Sequence, residues 1–155
     1  MRKVLFIAST GGHLSEILKL DKVMKKYKSY LVTEKTDTTK ELSVKYIKRI
    51  DYLLYCNKSH LSYIYKAPFN LIKSLIIFIK IKPDVIITTG AHTGVGMCYI
   101  GKLFRKKIIY IETLANIETK TLSGKLVYPI ADLFIVQWES MLKLYPKAVL
   151  GGWLY

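Results

Sequence analysis

Two histidines and a glutamate stand beside glycine-rich stretches in this 155-residue chain, and a second glutamate ends an apolar run. His13 and Glu16 follow Gly11 and Gly12 in ASTGGHLSEI. His92 lies within TTGAHTGVG, which also carries Thr89, Gly90, Thr93 and Gly94, and Glu112 closes KIIYIE. Glycine lacks a Cβ and lets a ligand approach the backbone. The start of a helix presents unpaired N–H groups and the positive end of a dipole. Two such turns side by side suit a diphosphate; the alternative is a pair of tight strand-to-helix turns. An imidazole at the first helix start is expected to be neutral and able to act as a base. Spacing leaves a capping role for His13 equally open. Glu16, one turn on, points at the same pocket or is a solvated first-turn carboxylate. His92 reads as structural or catalytic. Glu112, at a strand end, is a candidate ligand-facing acid.

These residues need elements to position them. Short β-branched runs alternate with helical segments along the chain. Strands are expected at 4–8, 30–33, 52–55, 84–90, in KIIYIE and in DLFIVQW. Helices are expected at 13–27, 38–48, 93–104, 123–128 and 140–145, with another from Pro68 in its first turn to about Lys80. Such alternation predicts an α/β fold, a single Rossmann-like domain over 1–155 with a doubly wound, mostly parallel sheet. In the order 3-2-1-4-5-6 the first and fourth strands are neighbours. Both glycine turns then leave at the carboxyl edge, where ligands of such sheets bind.

Composition narrows the function. Hydrophobic residues are 51% and the formal net charge is +14, which points to an anionic partner. Cys56 and Cys98 have no metal-ligand spacing, so neither a metal site nor a disulfide framework is expected. No cofactor is expected either. SGK at 123–125 lacks the rest of a phosphate loop, which removes an ATPase. Glu34 follows the second strand where a ribose-binding acid would sit, yet the first turn lacks GxGxxG, which weakens an oxidoreductase reading. Lysines spread over several helices and no recognised motif argue against nucleic acid.

One segment stands apart. YKAPFNLIKSLIIFIKIKP repeats Lys66, Lys73 and Lys80 every seven residues, with Asn70 on the same stripe. Phe69, Ile76 and Ile77 belong to an apolar arc wider than one sheet contact needs. Such a helix is buried on two sides, or it packs on the sheet and also enters an anionic membrane surface, with lysines at the head groups. It is too interrupted by lysine to span a bilayer.

Gly11–Glu16 as GGHxxE, PDVIITTGAHTGV and SGKLVYPIADLFIVQW together resemble the Alg-type and PssD-type polysaccharide-biosynthesis subunits, themselves similar to the amino-terminal half of GT-B glycosyltransferases such as MurG. The resemblance implies a subunit, inactive alone, that binds a lipid-linked (undecaprenyl diphosphate) sugar acceptor. It implies a partner subunit that binds the UDP-sugar, in capsule or exopolysaccharide assembly, peripheral at the cytoplasmic face of the plasma membrane. A purely scaffolding role for that partner is the alternative. By motif, Gly11, Gly12 and His13 match the first acceptor loop, and Thr89, Gly90 and Gly94 the second; His13 inherits a candidate role as base. Eukaryotic subunits carry an amino-terminal membrane helix, whereas this chain opens on a strand, so attachment is expected through residues 66–82 or the partner. The apolar AVLGGWLY at 148–155 is a candidate partner surface.

Overall fold

The computed structural model describes residues 1–56 and 63–154, except for the Tyr63 side chain. The apolar runs form seven strands: β1 Lys3–Ile7, β2 Lys28–Lys35, β3 Ile47–Leu54, β4 Val85–Thr88, β5 Lys107–Ile111, β6 Leu133–Val136 and β7 Val149–Leu150. They make one sheet in the order β3-β2-β1-β4-β5-β6-β7, every pair parallel. The expected order is therefore present, with a seventh strand added. β7 is only two residues, too short to show a period, and it pairs Val149 with Ile135 and Leu150 with Val136.

Both sheet faces are covered, as parallel strands require. On one face Leu5, Ile7, Ile86, Ile108, Met97, Cys98 and Phe78 pack together; on the other, Phe6, Leu31, Ile87, Ile111, Ile17 and Met24. The helices are α1 Gly12–Leu18, α2 Asp21–Lys26, α3 Tyr63–Ile81, α4 His92–Leu103 and α5 Leu122–Val127, with a 3-10 turn at Glu139–Lys143.

Three expectations fail for local reasons. The single helix over 13–27 is two helices: α1 ends in tight turns, with the Lys19 N–H on the Glu16 carbonyl (3.2 Å) and the Leu20 N–H on the Ile17 carbonyl (3.1 Å), and Leu20 leaves helical geometry at ψ 30° before α2 begins. No helix forms over 38–48. There the Thr39 hydroxyl donates to the Glu34 carbonyl (2.6 Å) and accepts the Thr36 N–H (2.9 Å), tying the segment back to the end of β2, and the backbone closes only separate turns, Lys40 N–H on Thr36 and Leu42 N–H on Thr39. β3 accordingly begins at Ile47 and not at 52. Pro68 lies inside α3 and not in its first turn. Its missing N–H leaves the Ile64 carbonyl without a helical donor, near the exposed start of the helix.

The long helix has two unlike sides. Ile77 was expected among the membrane-facing residues, but it is buried with Phe78, Ile81 and Ser74 against the sheet. Asn70 also faces inward, its side-chain amide pairing with both the N–H and the carbonyl of Leu54 (2.8 Å each) and so extending the end of β3. Phe69, Leu71, Ile72, Leu75, Ile76 and Ile79 remain exposed. Lys80 is exposed, while Lys66 and Lys73 are half-buried. No described helix is long and apolar enough to cross a membrane. Truncation should separate the two sides. Ile77→Ala should lower unfolding stability by about 2–5 kcal/mol, and Ile76→Ala by no more than about 0.5 kcal/mol, measured by denaturant titration.

Candidate functional site

The carboxyl edge of the sheet brings the two glycine turns into contact. β1 and β4 are paired, with Ile7 opposite Thr88, so the chain leaves both strands at the same height. Gly11 turns the first exit at φ 87°, a region closed to most side chains. Gly90 turns the second at φ 110°, and a Cβ there would lie 2.8 Å from the Tyr110 hydroxyl and 3.3 Å from His13 Cε1. Ala91 follows at φ 57°, ψ 171°, a conformation almost confined to glycine. Holding alanine there costs about 1–3 kcal/mol, a strain typical of binding and switch loops.

His13 clasps the turns together. Its Nδ1–H points at the Thr89 carbonyl (2.9 Å), and the Thr89 hydroxyl donates back to the His13 carbonyl (2.8 Å). With Nδ1 carrying the proton, the neutral ring keeps its lone pair on Nε2. The ring is 28% exposed, so a substrate hydroxyl can reach it. His13 is thus the structural clasp of the two turns, and its Nε2 takes no part in that clasp.

Glu16 is not a solvated carboxylate. Its Oε1 accepts the Thr113 hydroxyl (2.7 Å) and the Leu114 N–H (3.0 Å), joining α1 to the loop after β5. Its Oε2 is buried 3.8 Å from His13 Nδ1 and makes no hydrogen bond among the described residues. That oxygen faces the Nδ1 side of the imidazole, the side held by the Thr89 carbonyl, and is closed to solvent.

The amino ends of α1 and α4 carry no side-chain cap. The first N–H groups of a helix have no partner within it, so both ends are suited to an anion. Space around Gly11 and Gly12 is open: a Cβ on either would meet nothing within 4 Å. The other expected ligand residues sit deeper. A Cβ on Gly94 would collide with the Thr88 hydroxyl, so that glycine serves helix-to-strand packing and not close approach of a ligand. Thr93 is buried, with its hydroxyl donated to Glu34 Oε1 (3.0 Å). His92 stands 3.5 Å from the same carboxylate and is 22% exposed. Beyond it a hollow of about 360 Å³ opens between α3 and α4, lined by His92, Thr93, Pro68, Leu71 and Gly96.

Glu112 points inward, contrary to a ligand-facing reading. It is 1% exposed and accepts from Thr113 N–H (3.1 Å), the Thr121 hydroxyl (3.0 Å) and the Tyr145 hydroxyl (3.1 Å). Those bonds fix the segment from 112 to 124, where Thr121 also caps α5 by accepting the Gly124 N–H (2.9 Å). Neither Thr121 nor Tyr145 stood out in the sequence; only proximity to a strand-end glutamate in space marks them. Glu34 is likewise turned inward, at 1% exposure, and is not offered to a ribose. Among the described residues no group of three His, Cys, Asp or Glu could hold a metal ion.

Burial pushes the Glu112 carboxyl above the ordinary glutamate range, against the opposing pull of its hydrogen bonds and of His13. A folded-state pKa raised above the unfolded value stabilises the fold at low pH. That contribution is lost as pH rises through the folded pKa. Relative to Glu112→Gln, the wild type should therefore lose thermal stability as pH rises above the ordinary glutamate value of about 4, followed by its unfolding midpoint across pH.

The profile of a family described as "Oligosaccharide biosynthesis protein Alg14 like" matches residues 4–154. The rat protein named UDP-N-acetylglucosamine transferase subunit ALG14 is 31% identical over 175 residues, covering 96% of this chain and 81% of its own. The human protein of that name is 28% identical, with the same coverage. Among solved structures, MurG of Acinetobacter baumannii superposes with a TM-score of 0.71 at 12% identity, over 90% of this chain and 43% of that one. UDP-N-acetylglucosamine 2-epimerase of Rickettsia bellii gives 0.73 at 17%, over 94% and 41%. At those identities the likeness is one of fold, and this chain spans less than half of either structure. The sheet matches one half of a GT-B enzyme, and with the profile running almost end to end the chain belongs to the Alg14-like family of oligosaccharide biosynthesis proteins.

Proposed function

We propose that this chain is the acceptor-binding subunit of a two-part glycosyltransferase, inactive until a partner subunit supplies the half that binds the UDP-sugar. The observation that carries the reading is the junction of the two glycine turns: two uncapped helix starts meet at the switch point of a half-GT-B sheet. The acceptor is a sugar on a polyprenyl diphosphate, with undecaprenyl diphosphate as the carrier if the pathway builds capsule or exopolysaccharide. Its diphosphate lies against the backbone at Gly11–Gly12 and the start of α4. The acceptor hydroxyl gives its proton to His13 Nε2, or to a partner residue, as its oxygen attacks the anomeric carbon. The bond from that carbon to the UDP oxygen breaks, and UDP leaves with the electron pair. Glu16 holds the loop after β5 beside His13, through Thr113 and Leu114. No resident metal or cofactor is invoked.

The exposed side of α3 supports attachment to an anionic membrane surface, peripheral and on the cytoplasmic side. Phe69, Ile72 and Ile76 are at least 47% exposed, and exposed Tyr99, Leu103 and Phe104 of α4 and its end extend the same patch. A shallow groove of about 520 Å³ between the helices, lined by Leu71, Leu75, Gly96 and Leu103, shares Leu71 and Gly96 with the hollow beside His92. Head group and lipid tail of the acceptor can thus be served from neighbouring surfaces. For the partner, the edge at β7 is the candidate. Val149, Leu150 and Trp153 are exposed there, with Trp153 stacked edge-on against Trp138 (5.9 Å). Tyr155, the last of the apolar run, lies outside the described residues.

Sugar transfer to undecaprenyl-diphosphate and to dolichyl-diphosphate acceptors, assayed with the chain alone and with its partner, tests the reading. Activity is expected only from the pair. His13→Ala in the pair should lower kcat by about 10²–10⁴-fold. Full activity from the chain alone would remove the two-part proposal, and an unaffected His13→Ala pair would remove the histidine's chemistry. Membrane attachment has its own measurement: wild type should co-sediment with vesicles containing anionic lipid, less so as salt rises. Phe69→Asp with Ile76→Asp should abolish the binding without loss of fold.

A further inference from the structure

Glu34 is a second buried carboxylate at the carboxyl edge, and nothing in the proposed chemistry uses it. β2 pairs Val32 with Ile7, the last residue of β1, so Glu34 emerges just beneath the first glycine turn. Its Oε2 accepts the N–H of Thr10, the residue before Gly11 (3.2 Å). Its Oε1 accepts the Thr93 hydroxyl (3.0 Å) and stands 3.5 Å from His92 Nε2, both at the start of α4. The Ser9 and Thr93 hydroxyls are 2.6 Å apart alongside. One carboxylate therefore reaches both turns, through atoms different from those of the His13–Thr89 clasp.

A negative charge here is a paradox beside an anion site. It repels a bound diphosphate, and its burial is costly in itself. A carboxylate is tolerable in such a place if it orders donors whose alignment is worth more than the repulsion. From this geometry we infer that Glu34 is the positioning residue of the acceptor crevice. It fixes the first turn to the amino end of α4, so that the two sets of backbone N–H groups converge on one diphosphate. The inference rests on the acceptor-binding reading above.

Charge and positioning give opposite signs, which makes the test decisive. Glu34→Gln keeps the size, removes the charge and loses an acceptor. If the carboxylate acts only as a like charge, its removal tightens anion binding. If it positions the turns, removal weakens binding. In the complex of this chain with its partner, KM for the lipid-linked acceptor should rise at least about tenfold with kcat changed far less. Affinity of the complex for inorganic pyrophosphate, measured by calorimetry, should fall in parallel. Thr93→Val, which removes one of the two anchored partners and leaves the charge, should move both quantities in the same direction and keeps the test available if Glu34→Gln does not fold. A purely structural carboxylate would lower the unfolding temperature and leave KM of the folded fraction unmoved, which overturns the inference. So does tighter pyrophosphate binding by Glu34→Gln. Wild-type complex that binds no pyrophosphate overturns the acceptor reading and this inference with it, whereas wild-type binding with unshifted variants overturns this inference alone.

Discussion

The pairing of β1 with β4 is the constraint on which the rest depends. Strands 81 residues apart in sequence (Val4 opposite Val85) lie hydrogen-bonded side by side, and only that adjacency brings the turn at Gly11–Gly12 against the turn at Gly90. The reciprocal bonds between His13 and Thr89 then convert adjacency into a fixed junction. A slip of one residue would move every side chain of β4 to the opposite face and break the clasp with it. Because Leu5, Phe6, Ile7, Ile86 and Ile87 are buried on both faces, the register rests on the fit of packed side chains and on the clasp rather than on a polar and an apolar face. The glycine junction and the core are thus secured by the same strand pair.

Around that junction the chain places carboxylates where its overall charge would not suggest them. Of 11 acidic residues against 25 basic ones, Glu16, Glu34 and Glu112 converge on the carboxyl edge and are withdrawn from solvent. Each links segments distant in sequence. Glu34 joins the first turn to α4, Glu16 joins α1 to the loop after β5, and Glu112 joins that loop to Thr121 and Tyr145. Hydroxyl and amide donors converge on all three, so the loops that form the crevice are held by hydrogen bonds to buried carboxyl groups. A basic surface and an acidic framework under the crevice are compatible because the framework's charges are spent inward.

Much of this was legible in the sequence, for identifiable reasons. Strand order follows from buried β-branched runs alternating with helices, and the crevice follows from glycine at two strand exits. The resemblance to Alg-type subunits, carried by GGHxxE and by the run through Trp138, agrees with the family to which the chain belongs. What escaped was set by contacts between distant residues or by side chains competing with the backbone. The threonines at 36 and 39 undo a helix that periodicity favours. Ile76 and Ile77 are neighbours of the same type, and only the packing of α3 on the sheet decides which is buried. Glu112 and Glu34 look like ligand-facing acids at strand ends, and their orientation depends on partners 9 to 59 residues away.

The two-sided nature of α3 ties the fold to the proposed chemistry. A helix serving the sheet alone would place polar residues outward, as most do. This one keeps Ile72, Ile76 and Ile79 outward while Ile77, Phe78 and Ile81 hold the sheet. Its inner side fixes the height of the exposed apolar side relative to β3, through Asn70 on Leu54, and Leu71, on the flank of the helix, meets Gly96 of α4. α4 in turn begins at His92 and Thr93, the residues tied to Glu34. The distance from the exposed apolar side of α3 to the glycine turns is therefore set by rigid packing. A carrier lipid whose tail stays in the bilayer and whose diphosphate must reach the glycine turns requires that constancy; a soluble acceptor does not.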